Sequence, residues 1–169
     1  IRANITYNSL SQMNYYKDVV TSTVTPNLKT FIEQTLTYDL TSGNLSGFVQ
    51  TKRERSIDSN NNFTTELDVT TTIARSNTTY DQRGFVSGYD ERVIKQGTAT
   101  TNTQRRDITY NDQGQMIYYH DTITSETGAT GLQTDIYFGD DDADGLTAAE
   151  KLATIVDYDI NGRLEDYVE

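Results

Sequence analysis

Apolar and polar residues alternate along most of the chain, with the two-residue period of a half-buried β-strand. The segments TFIEQTLTY from Thr30 and FTTELDVTTTIARSNTTY from Phe63 keep this alternation over long stretches. In TKRERSID from Thr51 and YDERVIKQ from Tyr89, charged residues alternate with small or apolar ones. This pattern predicts antiparallel strands with one solvated face and one face that contributes a narrow core.

One segment occurs twice, as ITYNSLSQMNYYKDVVTS from Ile5 and as ITYNDQGQMIYYHDTITS from Ile108, and looser copies begin at Leu36, Thr78 and Val156. We number these copies repeats 1 to 5 in chain order. An apolar residue follows the repeat tyrosine by six or seven positions, and an aromatic residue by nine or ten. Each repeat contains a Tyr followed by Asn or Asp: Tyr7 and Asn8, Tyr38 and Asp39, Tyr80 and Asp81, Tyr110 and Asn111, and Tyr158 and Asp159.

The residues of each repeat are those that favour a β-hairpin with a tight turn. The Asp or Asn side chain accepts backbone hydrogen bonds two residues on, and a Gly four residues after the Tyr supplies a positive φ for a type I turn closed by a bulge. That Gly is Gly84, Gly114 or Gly162, while Gly43 comes one residue later and repeat 1 has Ser11. The sequence therefore predicts an all-β fold, an antiparallel meander of long hairpins with Tyr-Asp turns at one end and variable loops at the other.

Composition agrees with this prediction and limits the function. The chain has 28 Thr and 12 Tyr, which favour strands, and its hydrophobic content of 34% is low for a globular protein. Because it has no Cys and a net charge of -11, thiol chemistry is excluded and nucleic-acid binding is disfavoured. No apolar run approaches the ~18 residues of a membrane span. We expect an extracellular or cell-surface protein, processed or excised since it begins at Ile1.

The aromatic residues of the repeats have two interpretations. The apolar and aromatic positions that follow each turn are expected to form the narrow core. Alternatively, Tyr16, Tyr89 and Tyr119 form an exposed row on which the sugars of a surface polysaccharide stack. Packing is the favoured interpretation, and a carbohydrate-binding adhesin module is the alternative function.

The last repeat points to a family. YDINGRL from Tyr158 resembles the YD repeat of bacterial Rhs-type proteins, and YNDQGQMIYYHD is similar to variant copies in very large bacterial surface proteins. The resemblance implies a non-enzymatic extracellular β-scaffold, wound into a shell or extended as a fibre. The repeat tyrosines are 31, 42, 30 and 48 residues apart, unlike the even spacing of Rhs-type repeats. We therefore expect a structural subunit or segment of a filament or giant surface protein, with an Rhs-type toxin shell as a further alternative.

The acidic segment GDDDADGLTAAEKLAT from Gly139 predicts a calcium site. Alternate carboxylates on a tight loop converge on one point, and the following Gly permits the sharp turn that a hard cation needs. The spacing resembles the calcium loops of bacterial thrombospondin type 3-like repeats. The expected ligands are the carboxylates of Asp140, Asp142, Asp144 and Glu150 and the Leu146 carbonyl.

The acidic segment also predicts where the β meander ends and a short helix follows. Thr147 would cap a short helix near 147–154 that carries Glu150 towards the ion. We expect one unit over 1–169, with a β meander at 1–135 followed by the calcium loop, the helix and the last turn at 136–169. The alternative for the acidic loop is a solvated turn. DYDING from Asp157 can be interpreted as a second such loop, although a fifth Tyr-Asp turn is favoured.

Catalysis is not expected. The single histidine, His120, occupies the position that Lys17 holds in repeat 1, as an exposed polar residue would. No phosphate loop, zinc cluster or nucleophile elbow is present, although paired carboxylates for glycoside cleavage leave no linear signature. Four Asn-x-Ser/Thr sequons are candidate glycosylation sites, at Asn4, Asn44, Asn62 and Asn77.

Self-association is the last expectation from the sequence. Both terminal segments resemble strands that lack one partner, and unprotected strand edges invite pairing between chains. We expect residues near 1–8 of one unit to pair with residues near 160–169 of the next, in a head-to-tail filament.

Overall fold

The computed structural model describes residues 1–126 and 132–139, together with the backbone of residues 157–158 and 164–166. Nine strands form one antiparallel meander sheet in which each strand lies beside its neighbours in sequence. A separate two-stranded sheet joins the last two short strands. The strands are β1 Arg2–Tyr7, β2 Met13–Thr21, β3 Leu28–Tyr38, β4 Leu45–Ile57, β5 Phe63–Tyr80, β6 Val86–Lys95, β7 Thr100–Tyr110, β8 Met116–Glu126, β9 Leu132–Gly139, β10 Asp157–Tyr158 and β11 Leu164–Asp166.

The predicted all-β meander is confirmed, and the described residues contain no helix. The helix expected near 147–154 lies outside the described residues. Within them, no helix is long and apolar enough to cross a membrane.

Contacts divide the chain into two compact units. Unit 1 consists of Ile1–Asn77 with Glu91–Thr101, and unit 2 consists of Thr78–Asp90 with Asn102–Glu169. The single unit over 1–169, with its internal boundary near 135, remains a prediction. Unit 1 contains the turns of repeats 1 and 2, and unit 2 contains those of repeats 3 and 4.

Strand pairing in unit 1 is regular. From Tyr15 opposite Thr35 to Thr21 opposite Lys29, β2 and β3 pair one to one, and β3 continues the same register with β4 from Leu28 to Thr37. Thr and aromatic side chains fit this pleated surface, which explains the long strands. In unit 2, β8 and β9 pair without a shift from Tyr118 to Ser125.

The core is smaller than the repeats predict. Among the described residues, the buried hydrophobic side chains are Ile57, Ile108 and Tyr118, and no side chain is fully buried. In repeats 1 to 4, the expectation that the apolar and aromatic positions form the core is wrong, because Met13, Tyr16 and their equivalents are only half-buried. A chain with 34% hydrophobic residues has too few apolar side chains to cover both faces of so long a sheet.

Cross-strand pairs on the sheet surface accompany this small core. In unit 1, Arg53 donates two hydrogen bonds to Asp68 at 2.7 and 2.6 Å, and Lys17 lies 3.2 Å from Glu33. The rings of Phe31 and Phe63 are 5.9 Å apart. Charged pairs on adjacent strands, such as these two, each contribute about 0.2 to 1 kcal/mol. The sheet therefore depends on many surface pairs as well as on its few buried residues.

Candidate functional site

The turns of repeats 1, 3 and 4 have one geometry, and the turn of repeat 2 is one residue longer. In repeat 4, the Asn111 side-chain oxygen accepts hydrogen bonds from the backbone N–H groups of Gln113 and Gln115, at 3.1 and 2.9 Å. Gly114 closes the turn with a φ of 79° and donates its N–H to the Asn111 carbonyl. Repeats 1 and 3 use Asn8 and Asp81 in the same way, with positive φ at Ser11 and Gly84. In repeat 2 the Asp39 carboxylate accepts from the N–H groups of Thr41 and Ser42, and Gly43 has the positive φ.

A further turn of this type connects β4 and β5, where the sequence predicts a variable loop. The Asp58 carboxylate accepts bonds from the N–H groups of Asn60 and Asn62, and Asn61 adopts a φ of 67°. The turn was missed because it has no preceding Tyr and no Gly. The signal was present in the Asp and in the Asn three residues later, since Asn tolerates the left-handed region better than most residues.

Each repeat tyrosine with a described hydroxyl bond reaches back to the preceding repeat. The Tyr38 hydroxyl donates to the Met13 carbonyl at 2.8 Å, and the Tyr110 hydroxyl donates to the Val86 carbonyl at 2.8 Å. Met13 and Val86 are both six residues after the tyrosine of their own repeat. The Tyr is therefore a connection between successive repeats as well as a strand residue.

Successive turns are also connected. In unit 1 the Gln12 side-chain amide donates to the Gly43 carbonyl at 2.7 Å. In unit 2 the Arg83 guanidinium donates to the carbonyls of Tyr110 and Asn111, both at 3.2 Å. Neighbouring repeats thus bind each other through side chain to backbone contacts at the turn end of the sheet.

An Arg, an aromatic residue and an acidic residue form a triad that the sequence analysis missed. In repeat 1, Arg2 donates two hydrogen bonds to Asp18 at 3.0 and 2.9 Å and places its guanidinium carbon 3.9 Å from the centre of the Tyr16 ring. The Arg lies five residues before the repeat Tyr, and the acid lies eleven after it. These hydrogen bonds lower the pKa of Asp18.

Repeat 4 builds the same triad at the same offsets. Arg105 donates to Asp121 at 2.7 and 2.6 Å and lies 3.6 Å from the Tyr119 ring centre. Burial lowers the pKa of Arg105, but the hydrogen bond to Asp121 and the nearby tyrosines together raise it above its ordinary value. In repeat 3 the equivalent residues are Arg75 and Glu91, 2.7 Å apart. Extending the comparison of the repeats upstream of the Tyr would have found this Arg.

A residue with positive φ recurs within a strand three residues before the repeat Tyr, and in β1 it lies between Ala3 and Thr6, where the register with β2 shifts. We refer to this position in each repeat as the bulge. Asn4, Asn77 and Asp107 have φ values of 54°, 53° and 57°, a region that Asn and Asp tolerate. Repeat 2 has Thr35 at this position, in regular pairing with Tyr15. Two of the four sequons, at Asn4 and Asn77, therefore fall on bulges, while Asn44 and Asn62 belong to turns, and all four Asn are exposed.

A glycine lies against the bulge of the next repeat. A Cβ at Gly47 would overlap the Arg75 carbonyl oxygen, next to the bulge at Asn77. A Cβ at Gly88 would lie 3.0 Å from the Arg105 carbonyl oxygen, next to the bulge at Asp107. The approach at Gly47 leaves no room for a side chain, and the approach at Gly88 is tighter than side chains usually tolerate, so a glycine in one repeat accompanies a bulge in the following repeat.

The tyrosines considered for sugar stacking have protein partners. The Tyr119 ring contacts the Arg105 guanidinium from β7 and stacks on Phe138 of β9 at 4.9 Å. Tyr16 lies under Arg2 and donates its hydroxyl to Gln34 at 2.5 Å. Tyr89 has the Arg105 guanidinium 5.7 Å from its ring centre. A sugar could stack on the Tyr119 ring only by displacing one of these partners.

Other candidate groups are also paired. His120 stacks on Tyr137 at 4.4 Å and lies 3.3 Å from Asp135, so it is part of a surface pair. A shallow groove of about 420 Å³ in unit 1 contains Phe31, Phe63, Arg53 and Arg55. The Arg55 guanidinium carbon lies 3.9 Å from the Phe63 ring centre, so this cation of the groove packs on an aromatic ring of the sheet.

The predicted calcium ligands Asp140, Asp142, Asp144, Leu146 and Glu150 lie outside the described residues, as do Asp159 and Gly162 of the last turn. Tyr158 is described only as backbone in β10. In the part of the chain that is described, no three His, Asp or Glu side chains converge as metal ligands would.

Comparison with known proteins gives no family for this chain: no family model, curated protein or solved structure matches it.

Proposed function

We propose that this chain is a non-enzymatic structural unit of an extracellular filament or giant surface protein, built from YD-like repeats. The observation that carries the proposal is the contact between successive repeats. Tyr38 and Tyr110 each bond to the repeat before them, and Gln12 and Arg83 each bond to the turn of the repeat after them. A sequence that binds its own copies in series can lengthen a sheet by adding repeats.

Electrostatics supports a scaffold role over a catalytic one. Arg53, Arg75 and Arg105 each form an ion pair with an acid on a neighbouring strand. Charges held in such pairs strengthen the sheet and are poorly placed to exchange protons with a substrate. The carbohydrate-binding alternative would use Tyr16, Tyr89 and Tyr119, whose rings contact Arg2 or Arg105.

The proposal is tested on native cells with antibodies against the purified chain. We expect labelling of intact, unpermeabilised cells and of extended material in electron micrographs. Labelling only after lysis contradicts the extracellular role. Glycan-array binding that is lost in the Tyr16→Ala and Tyr119→Ala variants would instead support the adhesin.

Calcium at the acidic loop is part of this proposal. The ion would be held by Asp140, Asp142, Asp144, Glu150 and the Leu146 carbonyl, and it would stabilise the folded chain because only the folded state binds it. Chelation should lower the Tm of the purified chain and leave the Tm of the Asp142→Asn variant unchanged. Asp112→Asn, at an exposed turn position, is the matched control and should respond like the unmodified chain. Equal melting curves with and without chelator contradict the site.

Assembly between units is the remaining part of the proposal. The edge strand β1 would accept a further strand, either residues near 160–169 of a second copy or a strand of another repeat. The contacts that internal strands make with the strand before them show which of these two partners fits β1 better.

A further inference from the structure

The outer edge of β1 carries free backbone groups. Ile1 and Val19 exchange both backbone hydrogen bonds, at 2.7 and 2.8 Å, so the next residue, Arg2, directs its N–H and carbonyl away from β2. In the sheet of nine strands, β1 is the first and pairs only with β2. An incoming strand can therefore bond to this edge.

Tyr7 at this edge lacks the contact that Tyr38 and Tyr110 make. Tyr38 and Tyr110 bond to a carbonyl six residues after the tyrosine of the preceding repeat. Tyr7 is 61% exposed, and its hydroxyl has no hydrogen-bond partner among the described residues. A strand placed like the preceding repeat would supply that carbonyl.

The bulge of β1 restricts which strand can bind. Asn4 has nearly the same positive φ as Asn77 and Asp107, and the strands against those two bulges carry Gly47, where a side chain would collide, and Gly88, where a side chain would be crowded. In repeat 1 the residue equivalent to Gly47 and Gly88 is Tyr15. It pairs with β3, whose register with β2 has no shift. A strand that pairs with β1 therefore needs a glycine opposite Asn4.

We propose that the outer edge of β1 binds the second strand of another repeat of the same pattern, one with Gly eight residues after its Tyr, or nine where the turn is one residue longer, as in repeat 2. This inference rests on the proposed structural role. Of the strands described, β4 and β6 carry the glycine, and both are already paired on two sides. Repeat 5 has Asp166 at that position, so residues 160–169 of a second copy are poorly suited to β1. Among the described strands, none that carries this glycine has an edge left for β1, so we expect the partner to be a further repeat strand of this pattern.

A fusion of the full chain tests the inference. Residues 84–103 are added in front of Ile1, since Gln104 holds in repeat 4 the position of Ile1 in repeat 1. This places a second copy of β6, with its Gly88, beside β1. We expect a higher Tm and an Arg2 amide that exchanges at least about tenfold more slowly than in the unmodified chain. Tyr7→Phe should lower the Tm of the fusion and leave that of the unmodified chain unchanged.

The matched control is the same fusion with Gly88→Val in the added segment, which should show neither the higher Tm nor the slower exchange. Equal protection in both fusions, or in neither, overturns the inference. Dimers of the unmodified chain with a protected Arg2 amide also overturn it, because they would show that residues 1–169 already contain a suitable partner. Antibody labelling of cells is a separate measurement, so the docking edge and the extracellular role can fail independently.

Discussion

Repeats 1 and 4 have nearly the same sequence and the same turn, bulge and Arg-Tyr-acid triad, yet they differ in burial. Ile108 of repeat 4 is 6% exposed, whereas its equivalent Ile5 is 42% exposed. The side chain of Asp121 is 7% exposed and that of Asp18 is 17% exposed. Strand β7 has a neighbour on either side and β1 has one. Local sequence therefore sets the shape of a repeat, and its neighbours set how much of it is buried.

The largest expected effect is the loss of the isoleucine side chain. Ile108→Ala should lower the free energy of unfolding by about 3 kcal/mol, because it removes buried apolar atoms and leaves a cavity. Ile5→Ala should cost about 0.5 kcal/mol or less, as for most surface substitutions. Urea denaturation of both variants measures the difference. Equal losses would contradict the dependence of burial on neighbouring strands.

Removing the triad carboxylate should also destabilise repeat 4 more than repeat 1, but by less than the loss of the isoleucine side chain does. Asp121→Ala leaves Arg105 without its partner in a half-buried site and should cost about 2 kcal/mol. Asp18→Ala should cost clearly less, because water can replace the carboxylate at the exposed edge. The matched pair Arg105→Met with Asp121→Ala, measured as a double-mutant cycle, separates the pair from the packing of each side chain. A cycle without coupling would contradict the role of the pair.

The repeat tyrosines offer a more conservative comparison. Tyr110→Phe removes only the hydroxyl that bonds to Val86 and should cost about 1 kcal/mol. Tyr38→Phe should behave in the same way, and Tyr7→Phe should have no measurable effect. Thermal unfolding of the three variants tests this order, which would be contradicted if Tyr7→Phe were as destabilising as Tyr110→Phe.

The smallest effect concerns the turns, where repeats 1 and 4 have Asn and repeats 2 and 3 have Asp. The backbone N–H and hydroxyl of Ser42 and the N–H of Thr41 donate to Asp39 and hold its pKa below its ordinary value of 3.8. The folded state therefore favours the carboxylate, so this stabilisation is complete above 3.8 and is lost as the pH falls through the lower folded-state pKa. Asp39→Asn should lower the Tm slightly at neutral pH and make no difference in strong acid. A Tm difference that persists unchanged in acid would contradict this assignment.

The sequence predicted the hairpins because turn chemistry and strand alternation are local properties. Asn8, Asp39 and Asp81 hold the turns that their residue types favour, and the alternating Thr and Tyr form the strands between them. The core was not predictable in the same way. Tyr118 is buried while its equivalent Tyr15 is half-buried, although both precede an identical Tyr-x-Asp segment.

The candidate docking site was predictable only in part. The Tyr pattern located repeat boundaries, but Arg2 and Arg105 lie upstream of the segment in which the repeats were compared. The sequence analysis did not single out the glycines of β4 and β6, because their role depends on a bulge in another strand. Such a pairing needs the register of the sheet, which the spacing of the repeats alone does not give.

The small core has a thermal consequence. Heat capacity rises on unfolding mainly because apolar surface becomes hydrated, and globular proteins gain about 12 to 15 cal/mol/K per residue. In this chain only Ile57, Ile108 and Tyr118 are buried hydrophobic side chains among the described residues. Unfolding of the sheet should therefore bring a smaller heat-capacity increase per residue, and its stability curve should be flatter. A protein of this kind keeps a similar stability over a wide range of temperatures, including the cold.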